Sequence, residues 1–69
     1  MNIIDTIKAK AFQAMNRCEE YMDSNKEWSM VQWGRAIGLM QALDEICGQY
    51  ANLESLKARK ADLEEKLFG

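Results

Sequence analysis

The sequence predicts an all-α protein, and three observations carry that prediction. Ile4, Ile7, Ala11, Ala14, Cys18 and Tyr21 recur at alternating steps of three and four, the spacing of one face of a helix. A second apolar pattern at helical spacing runs from Trp28 almost to Phe68, with no alternating strand-like stretch between. The 69 residues include no proline, and the only polar turn cluster is Asp23-Ser24-Asn25. The two apolar seams differ in length by about twofold. A first helix of roughly 20 residues spans about 30 Å, whereas the second stretch would span about 60 Å. The first helix cannot cover the second, so the surplus requires another surface to bury it.

The first helix is expected over residues 3–22, capped by Asn2, with Asp5 in its first turn where a negative charge complements the helix dipole. Ser24 followed three residues later by Glu27 fits a capping box and starts a second helix, expected over 25–51. The connection is so short that the two helices must run antiparallel. Glycines 34 and 38 interrupt the second helix, each at a cost of about 1 kcal/mol relative to alanine. In the hairpin register they face Met15 and Ala11. Ala11, Ala14, Gly34 and Gly38 are therefore read as the close approach of two backbones, with a slot for a partner's bulky side chain as the less favoured alternative. Near Gly48 to Asn52 the apolar pattern slips by one residue, equivalent to a stammer or a break, with Asn52 a candidate cap.

Beyond that break, Leu53, Leu56, Lys60, Leu63 and Leu67 form a narrow stripe on a charged helix, expected over 53–68. Asp62 and Lys66 make an acid-before-base pair one turn apart. This segment either folds back or projects as a coiled-coil arm; the arm, paired with a second copy through the leucines, is the favoured reading. Lys60 at a seam position would then help select register and oligomer state. The whole chain, 1–69, is one helical domain.

Composition narrows the function. A chain this small buries little apolar surface, and such chains usually add disulfides, a metal or oligomerisation. With two cysteines and no histidine, zinc lacks ligands. In the hairpin Cys18 and Cys47 would lie roughly 25 Å apart along the axis, beyond disulfide reach; both are expected to be reduced, which suits a cytoplasmic setting. No cofactor is expected. Without histidine, a general base at neutral pH would need a carboxylate or lysine in a dry pocket, so the protein is read as non-enzymatic. Glu19-Glu20 and Glu64-Glu65 are read as solvated. Nine basic and eleven acidic residues give a net charge of −2 with the signs interspersed. Lys57, Arg59, Lys60 and Lys66 gather near the C-terminus, but Asp62, Glu64 and Glu65 dilute them, which argues against nucleic acid. No run of about 18 apolar residues suggests a membrane span.

Two aromatics complete the candidate interface. Trp28 and Trp33 project about 140° apart. Trp28 is expected over Met22 at the turn, and Trp33 flanks the glycines as a lid or an anchor. Phe12 lies off the first seam, alone or in a second interface with Met15 and Ile3.

The stretch Trp33-Gly34-Arg35-Ala36-Ile37-Gly38-Leu39-Met40-Gln41-Ala42-Leu43-Asp44-Glu45-Ile46 resembles a pattern in small helical-hairpin proteins of tailed phages. The likeness covers about a fifth of the chain. It implies an accessory or structural role in a virion or in the host bacterial cytoplasm, and it carries over no site residue. The function expected from all this is protein–protein interaction or assembly, as a homo-oligomer or with another protein. The rivals are a small phage inhibitor of a host protein and, less favoured, a nucleic-acid-binding regulator.

Overall fold

The computed structural model describes residues 2–47 and 53–69, apart from the side chain of Cys47, and contains three helices: α1 (Ile3–Tyr21), α2 (Lys26–Cys47) and α3 (Glu54–Phe68). The expected boundaries agree to within a residue wherever the chain is described. The expected end of the second helix, its irregularity at 48–52 and the Asn52 cap lie outside the described residues.

Local chemistry explains the ends. The Asn2 side chain accepts from the Ile4 amide at 2.9 Å, as expected of an N-cap. At α2 the cap is Asn25 rather than Ser24: the Asn25 Oδ1 accepts from the Trp28 amide at 3.1 Å, and its carbonyl accepts from Ser29 at 2.9 Å. Asparagine and serine cap equally well, and the Asn25 amide is already engaged by the Tyr21 carbonyl at 2.8 Å, which fixes the turn one residue later. Trp28 meets Tyr21 edge-on, with ring centroids 6.4 Å apart.

α1 and α2 form the expected antiparallel hairpin. Ala11, Ala14 and Ala36 are buried at its centre, with Met15, Met40 and Leu43 filling the space around them. The close approach expected at the glycines is not there. A methyl group added at Gly34 or Gly38 would meet nothing within 4 Å, because both residues lie on the solvent side of α2. Ala36 is the small residue that faces α1, two positions from each glycine and thus about 160° around the helix. Ser29 is also buried at the hairpin interface; its hydroxyl donates to the Cys18 carbonyl at 2.6 Å.

The projecting arm is likewise replaced by the other branch of the expectation. α3 folds back, and Leu53, Leu56 and Leu63 join the core formed by the hairpin. It packs chiefly against α1 and returns along α2 until Phe68 meets Trp33 edge-on at 6.0 Å. The physical reason is the length mismatch itself. The stretch that outran α1 is α3 itself, and its leucines are buried on the hairpin. The molecule is 35 Å long, close to the roughly 33 Å that a helix of α2's length spans.

Candidate protein-interaction surface

The residues expected to bind a second copy are brought together, but inside the bundle. Leu53, Leu56 and Leu63 are buried, and Leu67 and Lys60 are half-buried. The Lys60 Nζ pairs with Glu64 one turn on, at 3.1 Å. Phe12, expected on an exposed side of α1, is half-buried against the core. It also borders an open depression on α1 with Ala9, Gln13 and Asn16. Trp33 is half-buried and meets Phe68 edge-on, as a lid does. Of the two tryptophans, Trp28 is the more exposed.

The polar clasp between α1 and α3 was not visible in the pattern of spacings. Glu19, read as a solvated residue, accepts from Arg59 Nη2 at 2.9 Å and Nη1 at 3.2 Å, and from Lys66 Nζ at 2.6 Å. Arg59 also reaches Asn16 at 3.3 Å and Asp62 at 3.2 Å, and Lys66 reaches Asp62 at 3.3 Å, the pair expected one turn apart. The hydrogen bonds from Arg59 and then Lys66 hold the Glu19 carboxyl down at about 2, from an ordinary 4.5. Glu19 in turn raises Arg59 and Lys66. The one sequence signal for this clasp is that Arg59 and Lys66 stand seven residues apart, on one face of α3. Each of these shifts fixes a charge more firmly and moves it away from neutrality. That is the signature of a structural ion network and not of a proton-transferring site.

Between α2 and α3 runs a groove of about 280 Å³, floored by Ile37 and Met40 and bordered by Asp44, Lys57, Lys60 and Glu64. Its two cations face two carboxylates, so it presents no net charge to a ligand. Cys18 is buried and free, its Sγ 3.4 Å from the Ser29 hydroxyl. The Cys47 thiol lies outside the described part of the structure. Among the described residues, no group of His, Cys, Asp and Glu is arranged to hold a metal ion. Within the same residues no helix is long and apolar enough to cross a membrane.

Most of the large apolar side chains that the fold leaves open lie on the hairpin, at its two ends. Ile3 is 67% exposed, Trp28 45%, Val31 55% and Ile46 57%. Ile3 stands near the start of α1 and Ile46 near the end of α2, adjacent in an antiparallel hairpin; Trp28 and Val31 lie toward the turn. All four therefore belong to the hairpin. The remaining exposed large apolar residue among the described ones, Phe68, rests on Trp33. No protein-family model, curated protein or solved structure matches the chain.

Proposed function

We propose that this is a non-enzymatic protein–protein interaction protein, a small helical assembly or adaptor component that holds its partner on the exposed side of the α1–α2 hairpin. The observation that carries this reading is the exposure of Ile3, Trp28, Val31 and Ile46 after the leucine stripe has been used by the fold itself. A small monomer seldom leaves several large apolar side chains grouped on one pair of elements unless something covers them. The ion network supports the same reading, since its perturbed groups are locked as charges. The likeness of residues 33–46 to tailed-phage hairpin proteins supports a setting in a phage particle or an infected bacterium.

Folding-back of α3 favours a second reading within the same class, a compact inhibitor that captures one host protein. Its anchor would be Trp28 in place of the half-buried Trp33 and Phe12. The test is affinity capture on the intact chain, with light scattering for self-association, repeated with Val31→Asp and Ile46→Asp. Both substitutions are at exposed sites and should leave the helix content unchanged. A stoichiometric complex, with itself or with another protein, that is lost in these variants supports the reading. A chain that binds nothing, or whose complex survives both substitutions, refutes it.

A further inference from the structure

We propose that the groove between α1 and α2 on the side away from α3 is the seat of a partner's acidic amphipathic helix, about 18 residues long. This rests on the interaction role argued above and names its face and its partner chemistry.

Two stripes border the groove. On α1, Ile3, Ile7, Lys10, Ala14, Arg17 and Tyr21 follow one another at steps of four and three. On α2, Trp28, Gln32, Arg35, Leu39, Ala42 and Ile46 repeat the same steps. This is the spacing that lets a third helix lie along both. The contact between Tyr21 and Trp28 sets the register of the two stripes at the turn end. Continuing that antiparallel register brings Ala14 opposite Arg35 and Ile3 opposite Ile46, so the groove is about 27 Å long.

The side is fixed by what α3 already occupies. Glu19 and Trp33 hold α3 through Arg59 and Phe68. Arg17 and Arg35 each lie two residues from those contacts, about 160° around their helices. Three of the four exposed hairpin residues, Ile3, Trp28 and Ile46, fall on the stripes, and Val31 stands beside them.

Charge selects the occupant. The two stripes contain Lys10, Arg17 and Arg35 and no carboxylate, and none of the three is ion-paired among the described residues. The stripes thus carry +3 in a chain of net −2, leaving −5 for the rest. A second copy seated symmetrically would set these cations against one another. A helix with leucines on its inner face and glutamates along its edges fills the apolar floor and pairs all three.

The probe is a hydrocarbon-stapled 18-residue peptide of that pattern, titrated calorimetrically into the full chain beside the same peptide with lysine in place of glutamate. The glutamate peptide should bind at least about tenfold more tightly at low salt, a gap that narrows as salt screens it. The double variant R17E/R35E, changed only at exposed positions, should reverse the preference while its thermal melt stays put. Equal affinities, a preference that survives R17E/R35E, or no binding of either peptide would overturn the proposal. So would concentration-dependent dimerisation abolished by Ile46→Asp, which would give the groove to a second copy. If a natural partner is captured but proves insensitive to every groove variant, this seat is wrong while an interaction role on another face stands.

Discussion

Replacing Leu63 by alanine tests whether α3 belongs to the monomer's core. Leu63 is fully buried within the cluster that contains Leu53, Leu56, Met15 and Leu43. The substitution removes three carbon atoms, worth about 2.4 kcal/mol at ~0.8 kcal/mol per buried carbon. The cavity left behind raises the loss to about 3 kcal/mol, since neighbours relax only partly. A domain of this size has about 3–10 kcal/mol in total at the usual stability per residue. Leu63→Ala should therefore remove a third or more of the stability and shift the urea midpoint down, whatever the protein concentration. Ile46→Ala, at an exposed position, is the control and should cost less than about 1 kcal/mol. Had the leucines paired two copies, the loss would instead grow on dilution, and light scattering would record a change of mass. A Leu63→Ala protein that melts like the wild type, or whose deficit depends on concentration, would refute the folded-back α3.

Three further outcomes follow from the same packing. Glu19→Gln should weaken the α1–α3 clasp. Taken at face value, the drop from 4.5 to about 2 corresponds to about 3 kcal/mol, but the side chain is 38% exposed and screening reduces this to about 1 kcal/mol. Because the folded-state value is the lower one, this stability is present above about 4.5 and is lost as the pH falls toward 2. Melts from pH 7 to pH 2 should show a shallower acid slope in Glu19→Gln, and an unchanged slope would contradict the clasp. Gly34→Ala and Gly38→Ala should each stabilise by up to about 1 kcal/mol, since the added methyl meets open space on a helix; destabilisation in denaturant titrations would mean the glycines are packed after all. Ser29→Ala should cost about 1 kcal/mol by removing the bond to the Cys18 carbonyl, and a variant as stable as the wild type would count against that bond.

The hairpin was legible because α1 is apolar on one stripe only, and its phase admits a single buried face. α2 was not, because it must serve two neighbours. Ala36 and Leu43 face α1 while Trp33 and Ile37 face α3, so its apolar residues wrap much of the helix and give no sharp phase. Gly34 and Gly38 were assigned to the interface on spacing alone, where an error of two residues carries a side chain from the core to solvent. The leucine stripe of α3 was read correctly as a seam. Its partner was not, since steps of three and four look the same whether the facing helix belongs to the same chain or to another. The Glu19 clasp depends on that choice: without a folded-back α3, nothing brings Arg59 within reach of a residue forty positions earlier.

Stability and binding are linked on opposite sides of the hairpin, which allows one more outcome to be argued through. The proposed seat uses Trp28, Arg35 and Ile46, none of which touches α3 through any ring contact or ion pair among the described residues. A helix docked there completes a fourth side around α1 and α2 without displacing α3. It binds only the folded state, because the two stripes face one groove only while the hairpin is formed. Mass action then adds about 2.7 kcal/mol of stability when the free peptide is at a hundred times its dissociation constant. That nearly equals the deficit expected of Leu63→Ala. The glutamate peptide should therefore return the Leu63→Ala melt to within a few degrees of the wild type, and the lysine peptide should not. Rescue by neither peptide, once the first has been shown to bind the wild type, would mean that the peptide does not read the folded hairpin. Equal rescue by both would mean that the three unpaired cations do not choose the partner.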